Sequence, residues 1–306
     1  MISVIVCTFN RCTSLARTLN ELVACEPPDC PWEIVVVDNN SIDDTALVVA
    51  RFQDQSDVRV RYVFERRQGL SYARNTGVEA ARGDILAFTD DDCRPDRRWL
   101  QEIDRTFSAE TGLGAVAGRV EPGPGVDPRV GTRTSPDPAD IRSLQDIRQH
   151  LMGANLSFRR RAWLAAGPFD TNLGAGTPSR SGEDIDFAFR ILRSGERLAY
   201  CPAALVEHWH DRVGDEAISM LRRGYITGRG AFTMKWLLAL DPALSKTLYW
   251  NVVSLLRRDP SRTPSRGDLS RLATTRLLIQ GAIAWLCGTL RRKTALIPRA
   301  SRGTAT

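Results

Sequence analysis

Cysteine is sparse and unpatterned: seven residues in 306, odd in number, with no Cys-x-x-Cys pair. That argues against a disulfide framework and favours free thiols in a reducing compartment. No secretory leader is expected, because the apolar run at residues 4–7 is too short and Arg11 follows soon after. A cytoplasmic location is therefore expected. Nothing here matches the about 20 apolar residues of a spanning helix; residues 277–290 form a nearly uncharged run of only 14. Glycine is missing from the turn after the first apolar segment, residues 7–11. Its absence argues against the phosphate loop of a dinucleotide dehydrogenase, and equally against a nucleotidyltransferase that grips a triphosphate. There is no recognisable nucleic-acid reading module and no internal repeat of useful length.

What is present is an ordinary globular composition, 42% hydrophobic and 25% charged. The length suits one large α/β domain plus an appendage. The net charge of +6 is unevenly spread: from residue 211 onward 17 Lys or Arg face 6 Asp or Glu, an excess of +11, which leaves residues 1–210 at −5. A basic tail behind an acidic body points to an anionic partner, and a negatively charged membrane surface is the expected one.

Residues 1–100 read as repeated strand–helix units, which imply a mostly parallel sheet flanked by helices. Short apolar runs at 3–7, 33–37 and 85–88 are strand candidates. Leu15, Leu19 and Leu22 recur at helical spacing within 13–25, with Thr13 or Ser14 as cap. Further helices are expected at 43–52, 72–81, 141–149 and 162–166. Residues 152–158 return to strand, and 198–208 contain another. Residues 121–140, rich in Pro, Gly and Asp, and 167–181 read as long loops. Residues 183–193 form a helix with Ile185, Phe189 and Leu192 toward the core.

The most informative segment is Ala87-Phe88-Thr89-Asp90-Asp91-Asp92. A buried strand ends there in three acids, which repel one another. In open α/β sheets ligands bind beyond the carboxyl ends of strands. Hard cations such as Mg²⁺ or Mn²⁺ bridge carboxylates to substrate phosphates, so a metal–diphosphate site is the functional reading and a solvated acidic turn the bland one. Other polar strand ends accompany it: Thr8 to Arg11, Asp38 to Ser41, and the run Gly69 to Gly77 that contains Arg74. Asp38 can accept an N–H from a uracil-type ring or cap the following turn. Arg74 can fork onto phosphate or ribose, or form a salt bridge. Glu183-Asp184 opens a helix, where acids are favoured by the dipole in any case.

With those segments in order, at 4–11, 36–44, 69–77, 84–95, 152–160 and 182–190, the chain resembles an inverting family-2 glycosyltransferase of the GT-A fold. The resemblance covers roughly residues 1–210 as a catalytic domain, with 211–306 as a basic helical region. It implies transfer of a sugar from a nucleotide-diphosphate donor, a UDP-sugar being expected, to a hydroxyl of a glycan or lipid-linked acceptor, in cell-envelope polysaccharide synthesis. It assigns Thr8, Arg11, Asp38 and Arg74 to the nucleotide pocket, Asp90 to the ribose, and Asp92 with His208 to Mn²⁺ or Mg²⁺. Asp91 supports its neighbours. Asp184 becomes the base for the acceptor hydroxyl, Glu183 the reserve, and Asp186 faces elsewhere. Trp209 reads equally as a sugar platform or a packed aromatic. A non-catalytic sugar-nucleotide binder would lack one of these acids, and a nucleotidyltransferase would want the missing glycine-rich loop.

In the tail, residues 243–258 carry an apolar face. Thr274, Gly281 and Gly288 recur every seven residues as a small-residue stripe, followed by Arg291, Arg292 and Lys293. The pattern fits a helix lying at the cytoplasmic membrane face; a helix packed on the core is the alternative.

Overall fold

The computed structural model describes residues 1–129, 131–210, 214–241 and 269–295. The first half alternates as the periodicity requires: β1 (Ile2–Thr8), α1 (Cys12–Val23), β2 (Trp32–Asp38), α2 (Thr45–Gln55), β3 (Val60–Phe64), α3 (Leu70–Ala80) and β4 (Ile85–Asp90). Successive side chains of a strand point to opposite faces. Ile5, Val35, Val37, Leu86 and Phe88 accordingly enter one core layer, and Val4, Val6, Ile34, Val36 and Ala87 the other. Burial on both faces is why these strands read as continuous apolar runs rather than alternating ones.

The second half adds β5 (Cys93–Pro95), α4 (Trp99–Ala109), β6 (Leu113–Pro122), β7 (Ala139–Ile141), α5 (Leu144–His150), β8 (Asn155–Arg159), α6 (Arg160–Ala166), α7 (Glu183–Arg193) and β9 (Arg197–His208). The sheet order is β3-β2-β1-β4-β8-β6-β9-β5, with β7 also on β9. The expected parallel arrangement holds across β3-β2-β1-β4. Beyond β4 the sheet is mixed, because β8 runs antiparallel to both β4 and β6. The long loop at 121–140 is shorter than expected, since β6 continues to Pro122 and β7 begins at Ala139.

Register decides where the chemistry goes. Thr8 pairs with Asp38 and Cys7 with Asp90, so three strand ends share one edge. At the far side β5 pairs Cys93 with His208, which carries that histidine to the foot of the acidic triplet. Helix α7 buries Phe187, Ala188, Phe189 and Ile191, while Ile185 and Leu192 only border the core.

Two further helices follow, α8 (Asp215–Leu238) and α9 (Arg271–Ala295). They cross where small residues let backbones meet: a Cβ on Gly281 would stand 1.8 Å from the Thr227 carbonyl, and one on Gly230 2.0 Å from that of Leu278. Gly288 faces Asn172 in the same tight way. The small-residue stripe is thus occupied by intramolecular packing. The apolar face expected at 243–258 lies outside the described residues. Among the described residues no helix is long and apolar enough to cross a membrane.

Helix α8 docks on α7. Phe232 and Trp236 meet Phe189 at ring-centroid distances of 5.8 and 4.7 Å. Lys235 bridges Asp170 at 2.9 Å and Asp186 at 2.8 Å. Asp186, expected merely to face away from the site, is fully buried and also accepts from Trp236 Nε1 at 3.0 Å and Arg190 Nε at 2.9 Å. Trp285 of α9 donates to Asp170 at 3.0 Å. Burial raises the Asp170 carboxyl, but Lys235 and its hydrogen-bond donors outweigh that and leave it below its ordinary value.

Candidate functional site

Strand ends, loops and the start of α7 enclose a cavity of about 570 Å³. The acidic triplet forms one wall. Thr8, ending β1, donates its hydroxyl to Asp91 Oδ2 at 2.7 Å. Arg11 reaches over from the same strand end to Asp91 Oδ1 at 3.1 Å and Asp92 Oδ2 at 2.9 Å. His208 Nε2 stands 3.2 Å from Asp92 Oδ1, with Nδ1 2.9 Å from the Gly131 carbonyl. A carbonyl can only accept, so Nδ1 carries a proton and Nε2 is turned to the acid. Burial pushes the Asp91 carboxyl up to about 7, against the pull of Arg11. Burial acts on Asp92 too, but His208 and Arg11 more than offset it and hold that carboxyl well below the usual range. The supporting role expected of Asp91 is therefore concrete: it ties Thr8 to Arg11.

The opposite wall begins with α7. Glu183 is buried and paired with Arg74 Nη1 at 2.9 Å. Arg74, in the second turn of α3, also approaches Asp90 Oδ1 at 3.8 Å. Its guanidinium lies so close to the backbone of 153 that a Cβ on Gly153 would stand 2.5 Å from Nη2. Burial, then the Asp184 charge, pushes the Glu183 carboxyl up to about 7. Asp184 differs: it is part-exposed to the cavity, and its oxygens accept the backbone N–H of Gly153 at 2.9 Å and of Ile185 at 2.8 Å. Of the two acids, Asp184 is therefore the one open to a ligand, and Glu183 is the internal partner of Arg74.

Thr8, Arg11, Arg74, Asp90, Asp92, Glu183, Asp184 and His208 all line this one cavity. Asp38 does not. It is 3% exposed, with Oδ1 accepting from Ser41 N at 2.8 Å and Oδ2 from the Tyr62 hydroxyl at 2.7 Å. It caps the turn behind the wall, and Asn39 faces the cavity in its place. Trp209 is a packed aromatic, with the Arg94 guanidinium 3.6 Å above its ring. Sequence reasoning missed the contributions of Arg148 from α5 and of Tyr225, Arg229 and Phe232 from α8. No motif marks them, because only the packing of α5 and α8 against each other and of α8 on α7 brings them to the cavity.

Asp92, Cys93 and His208 place potential ligand atoms within 4.8 Å of one another. Burial raises the Cys93 thiol well above its ordinary value, so it remains protonated and is a poor ligand. A carboxylate and an imidazole of fixed tautomer, both opening on the cavity, form a donor set that fits a divalent cation completed by phosphate oxygens.

Residues 3–164 match the model of Glycosyl transferase family 2. The chain belongs to that family. Glycosyltransferase AglE of Haloferax volcanii is 28% identical over 300 residues, covering 94% of this chain and 92% of that one. Succinoglycan biosynthesis protein ExoM of Rhizobium meliloti is 27% identical over 299 residues, with 92% of each chain covered. Among solved structures, the Pyrobaculum calidifontis mannosyltransferase PcManGT in complex with GDP-Man and Mn²⁺ superposes with a TM-score of 0.60 at 20% identity, over 95% of this chain and 87% of that one. S. aureus TarS 1-349 in complex with UDP-GlcNAc gives 0.60 at 15% identity, over 97% and 93%. The protein is a glycosyltransferase with the GT-A fold.

Removing Arg74 tests the inner ion pair. Arg74→Met would leave Glu183 and Asp90 facing each other without a cation, at a cost of about 3–5 kcal/mol. Urea denaturation should show that loss, and adding Glu183→Gln should recover part of it. An unchanged midpoint for Arg74→Met would mean that the pair carries no net stability.

Proposed function

We propose that this glycosyltransferase is inverting and metal-dependent, moving a sugar from a nucleotide-diphosphate donor, a UDP-sugar being expected, to a hydroxyl of a glycan or lipid-linked acceptor. The observation that carries the reading is one cavity with Asp92 and His208 on one wall and the part-exposed Asp184 on the other. Residues 1–210 are the catalytic body and 211–306 a basic appendage, of which α8 lines the cavity. Thr8, Arg11, Arg74 and Asp90 hold the nucleotide, and Asp38 stabilises the turn behind them. Asp92 and His208 would hold Mn²⁺ or Mg²⁺, whose chemistry is to neutralise the departing diphosphate. Asp184 accepts the proton of the acceptor hydroxyl as its oxygen attacks the anomeric carbon. The bond from that carbon to the diphosphate oxygen breaks on the opposite face, and the nucleoside diphosphate leaves. One base and one displacement invert the configuration. Support for the acceptor class comes from relatives: ExoM is a succinoglycan biosynthesis protein, and a Haloferax volcanii relative 29% identical over 68% of this chain is a glucosyl-dolichyl phosphate glucuronosyltransferase. The proposed setting is cell-envelope polysaccharide synthesis, which the ExoM relative supports.

Asp184→Asn keeps size and removes the proton acceptor. Turnover of labelled nucleotide sugar should fall by about 10²-fold or more with donor affinity little changed. Near-normal turnover would move the base elsewhere, and NMR of a product with retained configuration would end the single-displacement mechanism.

Donor binding should need the cation. Calorimetry with UDP is expected to give strong binding in Mn²⁺, little in EDTA, and no Mn²⁺ dependence in Asp92→Ala. Equal affinity in Mn²⁺ and EDTA would remove the metal from the reading.

The appendage carries the proposed contact with an anionic membrane, at the cytoplasmic face. Leu272, Ile279 and Ile283 on α9 are 85%, 54% and 54% exposed. Their spacing of seven and four keeps them on one helix face, and the region from 211 holds the +11 excess. Each Lys or Arg near an anionic leaflet contributes about 1 kcal/mol. Full-length protein should float with phosphatidylglycerol vesicles at low salt and much less at high salt. Ile279→Glu with Ile283→Glu should abolish flotation. Protein that stays in the soluble fraction at low salt would leave α9 with a packing role only.

A further inference from the structure

The cavity has two electrostatic halves. In the half built from β1, β4, β9 and the start of α7, carboxylates and cations answer each other: Asp91 and Asp92 with Arg11, Asp92 with His208, Glu183 with Arg74. In the half built from α5 and α8 the sign reverses. Arg148 and Arg229 line it, beside Leu221, Tyr225, Ile226 and Phe232. The Arg148 guanidinium sits 5.9 Å above the Phe232 ring. Arg148 is half-buried and Arg229 is exposed, and both line the cavity.

Nothing described compensates these two charges. The surroundings hold Arg148 below its ordinary pKa through burial and then through the like charge of Arg229, and Arg229 is lowered by burial. Among the described residues no carboxylate pairs with either, whereas Arg11, Arg74, Arg190 and Lys235 all do. Two guanidiniums lining one cavity with no carboxylate partner leave like charges facing it in the empty protein. An incoming anion relieves the repulsion and gains forked, charge-assisted hydrogen bonds.

The anion belongs to the acceptor. The diphosphate of the donor has its place at Asp92 and His208, in the other half. Arg148 and Arg229 lie on the helices packed around α7, whose first turn presents Asp184, and their neighbours are apolar. We propose that Arg148 and Arg229 form a subsite for a phosphate group carried by the acceptor, with the apolar wall of α8 taking the chain attached to it. This rests on the reading of Asp184 as the base on the acceptor side.

Full-length protein saturated with UDP and Mn²⁺, so that the donor half is filled, should be titrated calorimetrically with farnesyl phosphate, sn-glycerol 3-phosphate and farnesol. Farnesyl phosphate should bind, and farnesol at least about tenfold more weakly, the scale of a charge-assisted bond. Arg148→Gln and Arg229→Gln should each weaken farnesyl phosphate by about tenfold or more. The Lys variants should retain part of the affinity, and UDP affinity should stay within about twofold, below one such bond. Neither Gln variant should melt much lower than wild type, because no ion pair is lost and the Arg148–Phe232 contact is the one interaction given up. Equal binding of glycerol phosphate would support the arginine subsite and name a water-soluble phosphate polymer as its source. Failure of both phosphates to bind, unaltered binding in both variants, or a loss of UDP affinity in their place would overturn the subsite. None of these readouts requires turnover, so a failure of Asp184 as base would be seen separately.

Discussion

Crowding of carboxylates at one sheet edge is the constraint on which the rest depends. Asp90, Asp91 and Asp92 follow one another, and α7 brings Glu183 and Asp184 to the same cavity. Like charges so near cannot all stay ionised unless cations answer them. Arg11 spans Asp91 and Asp92, His208 faces Asp92, and Arg74 is sandwiched between Glu183 and Asp90. Each cation comes from a different strand or helix. Neutralising the edge is therefore also what ties β1, α3, α7 and β9 together there.

The same economy explains which acids remain available. Glu183 is buried against Arg74, and Asp91 is taken by Thr8 and Arg11. Asp184 keeps an open side, anchored only by backbone N–H donors. Acids committed to holding the site stand beside acids free to act in it. Such a division is what the proposed transfer would require.

The C-terminal helices belong to this architecture. Asp186 lies two residues past Asp184 and is the buried meeting point of Arg190, Lys235 and Trp236, while Asp170 joins Lys235 to Trp285. A buried carboxylate with those partners fixes how α7 sits against α8 and α9. The helix that carries Asp184 is thus held from behind by the basic appendage, whose inner face lines the cavity with Tyr225, Arg229 and Phe232.

The strands, the acidic strand end and the family were legible in the sequence, because burial on both faces of a parallel sheet leaves continuous apolar runs and strand-end motifs are local. β1, β2, β4 and the start of α7 could be read in this way, and so could the meeting of Thr8, Arg11, Arg74, Asp92 and His208 in a single site, through the order of their motifs. The resemblance put Asp184 ahead of Glu183, but their different surroundings were not legible, since adjacent acids at a helix start look alike until Arg74 pairs with one of them. Nor was the fate of Asp38, whose oxygens are taken by Ser41 and by Tyr62 on the neighbouring strand. The stripe of Thr274, Gly281 and Gly288 has the same spacing whether it meets lipid or another helix, and the close approach of Gly281 to Thr227 decided for the helix. Arg148 and Arg229 stand 81 positions apart with no motif around them; they line one cavity only because α5 and α8 pack together there, a long-range contact that no local pattern encodes.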